Sequence, residues 1–153
     1  MAANKVYRGP NDRQPKTVSN KVVTGALLPC TFVTEGAAAL AQATAAGPML
    51  RLLSNRDFYS APGAEFSAAD PLFAPYISGE TGVAYVLEPG QIYQAALAAA
   101  TYAYGQELTV TAAGRRTAAL AGNPVVAFFK GVPGNFAAGT LSDVEIANFY
   151  NKA

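Results

Sequence analysis

Few side chains in this sequence could do chemistry. It has no histidine and one cysteine, Cys30. Without histidine there is no Ser-His-Asp triad, no Cys-His pair and no His-ligated zinc site. Cys30 sits in LLPCTFV, a strand-like apolar context that suits a buried small hydrophobe. A nucleophilic thiol would need a nearby base. Asp143 and Glu145 are two apart, so they share one face of a strand. They suit a weak cation site, or else a solvated face or an inter-subunit salt bridge. Glu65 and Asp70 read the same way. Arg115-Arg116 follows Gly114 and reads as a solvated turn or as the contact for an acidic patch on a partner. No Gly-rich phosphate loop with a following Lys and no G-x-S-x-G elbow is present. The expectation is a protein that binds rather than catalyses, with no catalytic residue, cofactor or metal.

Residues suited to binding fall in two places. Residues 1–21 carry Lys5, Arg8, Arg13, Lys16 and Lys21 against Asp12 alone, while the remainder is mildly acidic. This segment holds few large apolar residues, Tyr7 among them, and Pro10 and Pro15 oppose a helix. It cannot bury enough surface to offset its ordering entropy. It reads as an extended basic arm, able to span roughly 70 Å and to reach a neighbouring subunit. Its candidate contact residues are Lys5, Tyr7, Arg8, Arg13, Lys16 and Lys21. The second place is the proline-rich stretch 57–76, DFYSAPGAEFSAADPLFAPY. Tyr59, Phe66, Phe73 and Tyr76 need somewhere to go there. They suit a partner interface, since aromatics bury much area with few rotors, or a satellite core beneath the loop.

The elements that must hold these residues are short strands. The chain has 153 residues, a length suited to one domain. Of its apolar residues 32 are Ala, so the core is lean. Charged residues make up 14%, below the usual quarter or so, which suits a surface covered by partners. No apolar run is long enough for a transmembrane helix, and no secretory signal is apparent. The net charge of +1 gives no global pull toward nucleic acid. Period-two patterns bounded by turn residues mark strands near 22–33, 49–53, 82–88, 91–97, 106–112, 116–120, 125–130 and 143–149. Pro89-Gly90 has type II turn chemistry and makes 83–97 a hairpin candidate. The Ala-rich stretches 36–46 and 94–104 have helix propensity but lack clean caps, so they read as short strands and loops, with room for one helical turn.

The order of these features from Val22 to Phe149 resembles the capsid decoration (cement) proteins of tailed bacteriophages. VVTGALLPCTFV resembles that family's opening strands around a Pro, and MLRLLSNRDFY its next strand. The stretch GETGVAYVLEPGQIYQAALAAATYAYGQELTVTAAGRRTAAL resembles its Pro-Gly turn region, a variable segment ending at Gly105, and a strand turning at Gly114. PVVAFFKG and DVEIANF resemble its closing strands. One departure is Cys30, where the pattern would place a Gly after the Pro.

The resemblance implies a mostly β fold: a compact β-barrel-like or β-sandwich body (22–153) of short antiparallel strands, behind the extended arm (1–21). The basic arm and the long aromatic loop are additions to that family's minimal pattern. The resemblance implies a virion structural protein on the outer surface of an icosahedral shell, bridging adjacent major capsid protein subunits. Its partners would be that subunit and copies of itself, as trimers or dimers, with no membrane, nucleic acid or small-molecule substrate. The alternatives are a tail or head-completion protein, and a nucleic-acid-binding β-barrel using the basic arm. The last needs basic and aromatic residues interleaved on a sheet face, and Tyr85 and Tyr93 have no Arg or Lys near them in sequence.

Overall fold

A computed structural model describes residues 5–55 and 71–153. The first half of the chain supplies a closed barrel, in the order β1-β3-β2-β4-β5. Its strands are β1 (Thr17–Val23), β2 (Phe32–Glu35), β3 (Ala39–Gln42), β4 (Leu50–Leu53) and β5 (Thr81–Val86). All pairings are antiparallel except β1 with β3. β3 lies inside the first Ala-rich stretch. Leu40 is buried among Val23, Val33 and Leu53 within the barrel, and that packing overrides the helix propensity of its neighbours. A single 3-10 turn, Pro71–Phe73, is the one helical element among the described residues.

The second half supplies β6 (Ile92–Ala96), β7 (Ala100–Tyr102), β8 (Glu107–Val110), β9 (Arg116–Ala118), β10 (Pro124–Phe129), β11 (Gly134–Phe136) and β12 (Leu141–Asn151). Five of these form a sheet in the order β6-β12-β10-β8-β9, and β7 pairs with β11. The eleven residues of β12 run between β6 and β10 and tie the sheet together. The main core lies where sheet meets barrel. Tyr93, Leu108, Phe129, Val144 and Ile146 pack there with Phe32, Leu50 and Leu52.

Two expectations are corrected here. The Pro89-Gly90 turn exists: Gly90 has φ +87° and the Gln91 N–H donates to the Glu88 carbonyl at 3.3 Å. Yet 83–97 is not a hairpin. β5 stays in the barrel, while the chain beyond the turn pairs with β12, starting from Gly90 N–H to the Ile146 carbonyl at 2.9 Å. The turn hands the chain from one sheet to the other.

The second correction concerns the arm. The expected boundary between Lys21 and Val22 runs through β1, whose residues pair with β5 and β3. Further upstream, Val6 and Tyr7 are buried in the main core. Tyr7 forms an antiparallel bridge with Tyr93. The Arg8 N–H donates to the Ile92 carbonyl at 2.9 Å, and the Gln94 N–H to the Val6 carbonyl at 2.7 Å. Residues 6–8 are therefore a strap along the open edge of β6, and the described part of the arm belongs to its own body.

Candidate functional site

Beside the main core, direct contacts join the barrel to the sheet near Gly114, and a groove opens there. Three contacts build this joint. The Phe32 N–H donates to the Gly114 carbonyl at 2.9 Å, and the Ala96 N–H to the Cys30 carbonyl at 3.1 Å. The Arg116 guanidinium lies over the Phe32 ring, 3.3 Å from its centroid. Gly114 has φ +63°, and a Cβ there would meet the Phe32 carbonyl oxygen at 2.6 Å. Only glycine allows the β8–β9 turn to approach the barrel this closely.

The groove has a volume of about 220 Å³. Leu28 and Thr31 line it from the β1–β2 connection, Phe73 from the 3-10 turn, and Ala96, Arg115 and Leu141 from the sheet side. Leu28 is 43% exposed and Phe73 56%. Arg115 has no ion pair or side-chain hydrogen bond among the described residues.

Several other charges are paired within the chain. Glu35 takes Arg51 at 2.9 Å and Lys21 at 3.8 Å. Asp143 takes Arg8 at 3.1 Å, and Glu145 takes Lys130 at 2.9 Å. The Asp143/Glu145 face is thus a pair of salt bridges within one chain. Lys130 is held above the usual lysine range by Glu145 and then the Tyr104 hydroxyl. Glu107 is held below the usual carboxylate range by hydrogen bonds from Tyr150 and Lys152. Among the described residues no group of three or more His, Cys, Asp or Glu could hold a metal ion, and no helix is long and apolar enough to cross a membrane.

Of the arm candidates, Lys5, Arg13 and Lys16 are exposed. Arg8 and Lys21 are engaged in the ion pairs above. Tyr7 is a core residue instead, packed against Tyr93 and Tyr85 at ring-centroid distances of 5.4 and 6.3 Å. Its hydroxyl donates to the Arg13 carbonyl at 2.9 Å. Of the loop candidates, Tyr59 and Phe66 lie outside the described residues. Phe73 is exposed on the groove rim. Tyr76 is 1% exposed, and its hydroxyl donates to the Ser54 and Asn55 carbonyls at 3.0 and 2.8 Å. It is a barrel core residue with no face for a partner.

Cys30 is buried, with φ +66°. That is the left-handed conformation glycine favours. Arg116 corrects the reading of a solvated turn. It is fully buried, and Nε, Nη1 and Nη2 have no hydrogen-bond partner among the described residues. Burial pushes its pKa down. Sequence reasoning missed the groove because its walls come from segments far apart in the chain. The legible signs were the Arg115-Arg116 pair after Gly114 and Phe73 in the proline-rich stretch. No protein-family model matches the chain, and no curated protein matches it in sequence.

Proposed function

We propose that this chain is a virion structural protein. It binds the outer surface of an icosahedral phage shell and stabilises it by bridging adjacent major capsid subunits, as trimers or dimers. The observation that carries this reading is the surface at the joint. Large apolar side chains, Leu28 and Phe73, stand exposed beside Arg115, a cation with no ion-pair partner among the described residues. Apolar anchors with a charged neighbour are what protein interfaces are made of. The exposed Lys5, Arg13 and Lys16 add attraction to an acidic shell, screened by salt. Many copies side by side on a shell raise effective concentration, so modest contacts add up.

The test is co-sedimentation of purified protein with undecorated phage shells, followed by heating of bound and bare shells. The expected result is saturable binding at a fixed ratio to the shell subunit and a raised disruption temperature. Absence of binding at low salt would overturn this reading and favour a tail or head-completion role. Retardation of nucleic acid in a gel, lost at high salt, would favour the nucleic-acid reading.

A further inference from the structure

Along the start of β9, neighbouring side chains point to opposite sides. Arg116 is driven inward and stacked on Phe32. Arg115 is thereby turned outward, into the groove. The turn that carries it is pinned to β2 through Gly114, so the guanidinium stands on a fixed base. Among the described residues, none that lines the groove carries a negative charge. Thr31 and Gln42 add polar side chains, while Leu28, Phe73, Ala96 and Leu141 add apolar ones. The groove thus presents an apolar wall, two neutral hydrogen-bonding groups and one uncompensated cation. A guanidinium matches a carboxylate with two parallel hydrogen bonds. The volume of about 220 Å³ suits one large side chain rather than a cofactor.

We infer that this groove docks a protein segment that places one large apolar side chain against Leu28, Phe73 and Leu141 and an adjacent carboxylate on Arg115. The occupant is a partner segment of that acidic-apolar chemistry. Assigning it to the shell subunit rests on the function proposed above, whereas the chemistry of the groove does not.

The probe is 3-phenylpropanoate, a phenyl ring and a carboxylate on a short tether, titrated into the full-length ¹⁵N-labelled chain. Saturable shifts of the amides of Thr31, Ala113, Arg115 and Leu141 are expected. Arg115→Ala should weaken binding about tenfold, the worth of one charge-assisted pair. Arg115→Lys should fall between, because it keeps the charge and loses the fork. The amine 3-phenylpropylamine should give no shifts there. No shifts with the carboxylate, equal binding of the amine, or unchanged binding to Arg115→Ala would each overturn the inference. Because Arg115 is partly exposed and has no ion pair among the described residues, its variants should keep the dispersed spectrum of the parent.

Shell binding separates the two proposals. If Arg115→Ala loses the probe and also sediments less with shells, both stand. If it loses the probe but coats shells like the parent, the groove chemistry stands and the shell is overturned as its occupant. If the parent coats shells but never binds the probe, the shell reading stands and the groove is overturned.

Discussion

The barrel and the sheet solve one problem in two ways. A sheet edge presents unpaired N–H and C=O groups that invite another strand. The barrel removes its edges by closing β5 onto β1. The sheet stays open and covers its edges. At β9, the chain leaving β6 crosses over, with Leu97 bridging Arg116 and the Ala98 N–H donating to the Arg116 carbonyl at 2.7 Å. At β6, the strap of residues 6–8 supplies the cover. Closure needs no outside residues, whereas cover depends on a short segment with little apolar content. The sheet is therefore the half of the molecule that its leading segment controls.

The largest effect should come from separating the two halves. At Gly114→Val, the new side chain would meet the Phe32 carbonyl oxygen and Thr31 in a left-handed backbone. We expect a loss above ~3 kcal/mol, from strain and the broken joint together, read as a collapse of the urea midpoint. Gly105→Ala supplies the contrast. Its φ is +78° with nothing within 4 Å of a Cβ, so only the backbone term of about 1 kcal/mol remains. Equal costs at the two glycines would show that the joint is not what Gly114 serves.

The strap is next. Tyr7→Ala empties a core position and should cost about 3 kcal/mol. Deleting residues 1–8 should go further in kind. It leaves the Gln94 N–H without the Val6 carbonyl and bares the β6 edge, so the truncated chain should self-associate with rising concentration, as seen by light scattering after size exclusion. The barrel, having no edge to expose, should keep slow amide exchange in β2 and β4. A monomeric truncation with unchanged exchange at Gln94 would show that the strap seals nothing.

Arg116 should give a smaller effect of opposite sign. Its guanidinium is buried without hydrogen bonds, and Arg cannot shed its proton to escape the cost. Arg116→Met keeps an unbranched stem at this position and removes both the charge and the guanidinium stacked on Phe32. We expect a gain of about 1–2 kcal/mol, as when buried charges are replaced by apolar groups of similar size. A loss of stability would mean that the stack on Phe32 outweighs desolvation.

How much of this was legible in the sequence depends on range. Alternation placed β8, β10 and β12, and Gly114 marked the β8–β9 turn. These signals are local, and so are the elements. The Pro89-Gly90 turn was equally legible, but which strand Ile92 meets is decided by β12, some fifty residues on. Val6 and Tyr7 looked too sparse to hold an arm down. Two buried side chains and a matching sheet edge suffice, and that edge is invisible from residues 1–21. Arg116 looked solvated because nothing beside it in sequence reports Phe32 above it. Of the candidate site, Arg115 and Phe73 were in view, but the wall between them is made by the fold.

The smallest test concerns the point where all three parts meet. Tyr7 comes from the strap, Tyr85 from the barrel and Tyr93 from the sheet, and Tyr85 and Tyr93 lie 5.3 Å apart between ring centroids. The Tyr93 hydroxyl donates to Gln91 Oε1 at 2.7 Å. Burial first, then Tyr85, Tyr7 and Glu88, holds its phenol well above the usual tyrosine range. The folded chain keeps this proton where the unfolded chain loses it. The stability it carries is therefore whole below about pH 10, the unfolded value, and falls as pH rises above it. At pH 10.5, just above the unfolded value, the loss assigned to Tyr93 is below about 1 kcal/mol. Melting the parent and Tyr93→Phe at pH 8 and pH 10.5 isolates that share. The variant, which has no phenol to ionise at that position, should lose less between the two pH values by that amount. Identical losses would mean that Tyr93 ionises in place, and that water reaches the junction of strap, barrel and sheet.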